Sequence, residues 1–241
     1  MSLKILLLQA RQQNDAALHE ERESFAKLSG LAVEQVVPYD LLHSTPTLID
    51  IKRYDALMVG GSGDYYVSKG NLPGYTAVLD LLAAVVADGH PTFASCFGFQ
   101  LMVEALGGKI INDPGSMEVG TYELSLSPEG AADELFCELP STFMAQLGHK
   151  DRAKTLPPGV INLAGSKRAP FQALRVPGKP IWATQFHPEL TRATNLGRFK
   201  IYLDGYAAAM EPELITQTLQ RFAESPEANR LLTGFVQYLR N

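Results

Sequence analysis

Residues 91–108, PTFASCFGFQLMVEALGG, constrain this chain most, because they set a cysteine between a strand and a helix. Pro91 to Ser95 follow the turn-forming Asp88-Gly89-His90 and are small, aromatic and β-tolerant, which predicts a short strand. Phe97, Leu101, Met102, Ala105 and Leu106 recur at helical spacing, and Gly107-Gly108 ends the run. A side chain at such a junction is pushed out on a sharp turn at the strand's carboxyl end, the geometry of a nucleophile elbow. Backbones crowd there, so small residues are needed two positions to either side; Ala94 and Gly98 supply them. The helix N-terminus that follows favours a thiolate at Cys96. A cysteine in this place can equally be a small buried hydrophobe, and the stretch alone leaves both readings open.

The flanking sequence supplies the frame. Lys4 to Gln9 is continuously apolar enough for a strand covered on both faces, and residues 14–29 read as a helix closed by Gly30. Leu31 to Val37 and Ala56 to Val59 give two more strands, and the second runs into the glycine-dense Gly60-Gly61-Ser62-Gly63-Asp64. Tyr75, Val78, Leu79, Leu82 and Val85 mark an amphipathic helix leading back to the strand before Cys96. This alternation predicts an α/β chain with an open, doubly wound, flavodoxin-like sheet, mostly parallel, with right-handed crossovers. Ligands bind such sheets at the carboxyl ends of the strands, where both the glycine loop and Cys96 fall.

From Lys109 to Phe186 the pattern turns to short strands, at 109–112, 122–126, 142–147, 160–164, 171–176 and 181–186, separated by turns such as Pro177-Gly178-Lys179. They predict an antiparallel extension of the same sheet and a small second one. Beyond Pro188 come helices at 192–208, 211–223 and 226–240, the last opened by Ser225 as N-cap and Pro226. With no repeat or long linker, a single domain over 1–241 is expected, with a core of about 1–190 and a helical extension of about 191–241.

Composition narrows the function classes. A hydrophobic content of 46% supports a sizeable core, and a formal charge of −5 gives no electrostatic case for nucleic acid or an anionic membrane. The N-terminal apolar run is too short for a signal sequence, and no later run reaches the ~18 residues of a membrane span, so a cytoplasmic protein is expected. Only two cysteines occur, so no disulfide framework is implied, and Cys137 reads as buried packing. No cysteine or histidine spacing suggests a metal, and no lysine follows the glycines at P-loop spacing. Neither metal nor cofactor is expected.

The second half of a site lies at Gln185-Phe186-His187-Pro188-Glu189. If the chain stays extended across the proline, period-two geometry puts His187 and Glu189 on one side. Glu189 could then orient His187 as base and acid for Cys96, a Cys-His-Glu triad. Cys96-Phe97-Gly98-Phe99-Gln100 and Gln185-Phe186-His187-Pro188-Glu189 together resemble the C-x-G-x-Q elbow and Q-F-H-P-E signature of the class I glutamine amidotransferases. Within that family the chain looks most like the amidotransferase domain of GMP synthase, on Gly148-His149-Lys150-Asp151 and Glu118-Val119-Gly120. It departs from the family pattern at Ala94 for glycine, Ser62 for proline in the glycine loop, and Lys150 for glycine.

The resemblance implies an enzyme that takes glutamine and releases glutamate and ammonia through a γ-glutamyl thioester on Cys96. It also implies Gln100 as a substrate contact. Backbone N–H groups of Gly61 and Phe97 are expected to hold the oxyanion, and His149 to line the pocket. No ammonia-using domain is discernible in the chain, so three readings stand. One is an amidotransferase serving a separate synthase or ligase, one a stand-alone γ-glutamyl hydrolase, and one a non-catalytic regulatory homologue.

Overall fold

The computed structural model describes residues 3–207 and 211–241; the end of the helix expected over 192–208 lies outside them. The first half runs β1 (Ile5–Ala10), α1 (Ala17–Leu28), β2 (Val36–Asp40), α2 (Leu48–Ile51), β3 (Ala56–Ser62), α3 (Tyr75–Asp88), β4 (Thr92–Ser95) and α4 (Phe97–Ala105). The second half runs β5 (Lys109–Asn112), β6 (Glu118–Leu126), α5 (Pro128–Ala131), β7 (Thr142–His149), β8 (Asp151–Thr155), β9 (Ile161–Gly165), β10 (Ala173–Arg175) and β11 (Ile181–Thr184). Four helices follow: α6 (Arg192–Ile201), α7 (Leu203–Ala207), α8 (Pro212–Gln220) and α9 (Pro226–Tyr238).

Nine strands form one sheet in the order β2-β1-β3-β4-β11-β10-β9-β6-β7, and β5 pairs with β8 in a second. β2, β1, β3, β4 and β11 are mutually parallel, whereas β10, β9, β6 and β7 add on in antiparallel fashion. The expected doubly wound sheet with an antiparallel extension is therefore present. Because side chains alternate along a strand, each central strand feeds two cores. Ile5, Leu7, Met58, Phe93 and Trp182 face one layer, closed by Phe25 of α1 and Phe235 of α9. Leu6, Leu8, Leu57, Val59 and Ala183 face the other, closed by α3 and α4. The C-terminal helix thus docks on the sheet, as its apolar stripe predicts, and Phe235 stacks near Phe93 and Trp182. Trp182 satisfies its indole N–H on Asp133 at 3.0 Å.

The differences from expectation are local and have physical causes. Residues 33–35 form a 3-10 turn in which Gln35 accepts the Ala32 N–H, so the second strand begins at Val36. The strand β8 was not anticipated, because Asp151, Arg152 and Lys154 give it no apolar alternation. Ser225 makes no side-chain cap; its hydroxyl accepts from the buried Gln146 amide, which needs an acceptor more than the helix end does. Cys137 is exposed rather than packed, since the turn at 135–139 sends Leu135, Phe136 and Leu139 inward and the thiol out. Among the described residues, no helix is long and apolar enough to cross a membrane.

Candidate active site

Cys96 is the one non-glycine residue with positive φ among the described residues, at φ 49° and ψ −97°. A conformation of that kind costs on the order of 1–3 kcal/mol and survives only where its surroundings hold it. Here the Cys96 N–H donates to Thr184 O at 2.7 Å, fastening the turn between the ends of β4 and β11. The first turn of α4 packs tightly on β3. A Cβ at Gly98 would lie 2.7 Å from the Val59 carbonyl oxygen, so only glycine fits. Ala94 is tolerated because its methyl points into the core against α3 and α4.

The chain after β11 brings His187 and Glu189 to the same point. The His187 N–H donates to Gln146 O at 2.9 Å, and its Nδ1 lies 2.6 Å from Glu189 Oε1. The Cys96 sulfur acts on the ring as well, favouring its charged form. Ser95, next to the cysteine, donates to Glu189 Oε2 at 2.7 Å, and Arg198 of α6 lies 3.5 Å from Oε1. Burial works against a charged imidazole, but the Cys96 sulfur and the Glu189 carboxylate outweigh it and raise the pKa of His187. Burial likewise works against a charged Glu189, but His187, Arg198 and Ser95 outweigh it and lower the carboxyl's pKa. A thiol, an imidazole and a carboxylate are thereby gathered at the end of β4 and β11.

The glycine strand end departs from expectation. The Gly61 N–H donates to Glu21 Oε1 at 3.0 Å, so it is not available to an oxyanion in this conformation. The reason is electrostatic. Glu21 of α1 is fully buried and gathers donors, taking Arg11 Nη2 at 2.8 Å and Gln9 Nε2 at 3.0 Å as well. It lies so close to the strand that a Cβ at Gly60 would meet its carboxylate at 2.8 Å. The Phe97 N–H, by contrast, sits at the open first turn of α4 and has no protein acceptor among the described residues.

A cavity of about 330 Å³ opens over the sulfur, with Ser62, Tyr66, Phe97, Gln100, His149 and Tyr202 among its walls. Gln100 donates its amide protons to Asp151 O at 3.0 Å and Gln185 Oε1 at 3.1 Å, which leaves its oxygen to accept from a ligand. His149 edges the cavity, but its polar atoms are committed. Nδ1 lies 3.0 Å from Asp151 O and Nε2 3.2 Å from Glu118 Oε2, so the ring offers a surface and not a hydrogen bond. Lys150 reaches from the β7–β8 corner to Gly205 O of α7 at 2.7 Å, across the cavity mouth.

Four residues the sequence reading had not singled out complete the site: Ser95, Gln185, Glu21 and Arg198. The first two lie beside or within the motifs and were legible from position. Glu21 and Arg198 come from α1 and α6, and no local signal marks them. Among the described residues, no cluster of three or more His, Cys, Asp or Glu side chains is placed to hold a metal.

Comparison with known proteins gives the family and the fold. A family model described as glutamine amidotransferase class-I matches residues 25–199. The chain is 28% identical over 156 residues to the glutamine-hydrolyzing GMP synthase of Shewanella oneidensis, covering 61% of this chain and 30% of that protein. To the same enzyme of Syntrophomonas wolfei it is 31% identical over 161 residues, covering 66% and 29%. The chain spans about 30% of the length of the curated relatives it matches. Among solved structures, a glutamine amidotransferase from Thermotoga maritima superposes with a TM-score of 0.75 at 16% identity, over 99% of this chain and 98% of that one. A glutamine amidotransferase from Methylobacillus flagellatus gives 0.73 at 18% identity, over 100% and 95%. At these identities the likeness is one of fold.

Proposed function

The chain belongs to the class-I glutamine amidotransferase family and is an enzyme of that type; on that premise we propose that it hydrolyses the side-chain amide of glutamine through a thioester on Cys96. The observation that carries the proposal is a strained Cys96 in the lining of a cavity, beside a buried His187 that is hydrogen-bonded to Glu189. The Cys96 thiolate attacks the carboxamide carbon, and the carbonyl oxygen becomes an oxyanion at the Phe97 N–H. The protonated His187 ring gives its proton to the departing nitrogen as the C–N bond breaks, releasing ammonia and leaving the γ-glutamyl thioester. His187 then takes a proton from water, the resulting hydroxide attacks the thioester, and glutamate leaves as sulfur regains the electron pair. Glu189 holds the ring in orientation throughout and offsets its charge.

The free oxygen of Gln100 suits the α-ammonium group of the substrate. Gly61 would serve as a second oxyanion donor only once its N–H leaves Glu21. The ammonia would pass to a synthase or ligase outside this chain, a reading supported by the two GMP synthases and the fraction of their length matched here. Glutamate release with glutamine as substrate tests the proposal. Cys96→Ala should abolish it while leaving the melting temperature close to that of the parent. Turnover at the parent rate in that variant would overturn the mechanism.

A further inference from the structure

The Cys96 sulfur has a second polar neighbour that the mechanism above does not use. Gln185, the residue after β11, is fully buried, and its Nε2 lies 3.6 Å from Cys96 Sγ. Which end of that amide faces the sulfur is decided by the groups behind it. Asp151 O is a carbonyl and can only accept, so it fixes Gln100 with its nitrogen turned that way. The second proton on that nitrogen then requires an oxygen, and Gln185 Oε1 supplies it at 3.1 Å. Gln185 Nε2 is thereby turned to the sulfur. Reversing Gln185 would set two N–H donors face to face and an amide oxygen against sulfur. The backbone is pinned as well, because the Gln185 N–H donates to Gln172 O at 2.8 Å.

We propose that Gln185 is a further catalytic residue, whose Nε2–H donates to the Cys96 sulfur and holds the thiolate ready to attack. The inference rests on Cys96 as the reacting group. The proton stays on the amide throughout, so the residue adds a fixed dipole and takes no part in proton transfer. In a buried site a donor aimed at sulfur favours the charged form over the neutral thiol. A hydrogen bond to a charged group corresponds to roughly a ten- to hundredfold change in equilibrium, which sets the effect to look for.

Gln185→Glu separates this role from a structural one. It preserves an acceptor for Gln100 and replaces the N–H aimed at sulfur with a second oxygen; Gln185→Met removes both groups. Each variant is made in a Cys137→Ser background, because Cys137 is exposed and would react. The readout is the rate of iodoacetamide alkylation of Cys96 across pH, assigned by peptide mass, alongside the melting temperature. Both variants should alkylate roughly ten- to hundredfold more slowly at neutral pH, with the pH midpoint moved upward and Gln185→Glu the slower of the two. Turnover should fall mainly in kcat. Should Gln185→Glu fail to fold, Gln185→Met carries the same test, read by alkylation and by its ultraviolet thiolate absorbance against the parent. Parent alkylation rates and midpoint in the folded variants, with only the melting temperature lowered, would overturn the proposal. Turnover of Cys96→Ala tests the nucleophile itself, so the two readings fail separately.

Discussion

β11 is flanked by β4 in parallel and by β10 in antiparallel, and the two halves of the sheet that meet there hold functional groups by different means. On the parallel side the backbone does the placing. Cys96 is aimed by its own φ and ψ, Phe97 presents a peptide N–H, and Gly98 lets α4 approach β3. On the antiparallel side, side chains do it. Glu118 of β6 accepts from Gln172 at 2.6 Å and pairs with His149. Gln146 of β7 bonds Asn195 and Ser225, while its carbonyl holds the His187 backbone. Backbone placement at strand ends follows from the crossover topology. A side-chain network must instead be satisfied member by member in a low-dielectric interior. The first half should therefore answer to substitution in rate, and the second chiefly in stability.

The largest expected effect lies at the junction. Glu189→Gln keeps the shape of the orienting group but removes its charge beside His187, and kcat should fall on the order of 10³–10⁴-fold, the scale of comparable triad substitutions. A fall of less than about tenfold would place Glu189 with the supporting network. Next comes the pH dependence of stability, read by urea unfolding at a series of pH values. The net lowering of Glu189 from its ordinary 4.5 means its contribution is full above that value and is lost as pH falls through the lowered one. The net raising of His187 from 6.5 means its contribution is full below that value and is lost as pH rises through the raised one. Glu189→Gln should flatten the acid slope and His187→Phe the alkaline slope; an unchanged slope in either variant would contradict the assignment.

The smallest effect on rate is expected in the antiparallel half. Glu118→Gln weakens two buried hydrogen bonds 1% from full burial, a loss of about 1–3 kcal/mol. Tm should fall by roughly 2–4 °C per kcal/mol lost, while kcat stays within about threefold of the parent, the margin allowed for a residue whose partners only line the wall. A hundredfold loss of kcat with little change in Tm would break the comparison.

How much of this was legible in the sequence follows the same division. Backbone placement leaves local marks, so the elbow around Cys96 and the parallel strands could be read from spacing. His187 and Glu189 do meet, but through a turn closed by the Leu190 N–H on His187 O at 3.2 Å and not through the extended chain expected across Pro188. Long-range side-chain contacts leave no local marks. Glu21 reaches Gly61 across 40 positions, and nothing in either segment announces that the Gly61 N–H is taken. Arg198 meets Glu189 only because α6 folds back over the end of β11. His149 looked available because a histidine in a polar turn carries no sign of its partners, yet Glu118 and the Asp151 carbonyl occupy it. β8 was missed for a related reason: a short strand of charged residues paired only with β5 has no alternation to betray it.

The central claim is that glutamine is opened by a covalent bond to Cys96. Acid quenching of the enzyme during turnover, followed by mass analysis of the peptide carrying residue 96, tests it most directly. The account predicts that this peptide gains one γ-glutamyl group, lost again on treatment with hydroxylamine, and that Cys96→Ala neither gains it nor releases glutamate. Glutamate release at full rate with no adduct on Cys96 at any quench time, or from Cys96→Ala, would contradict it.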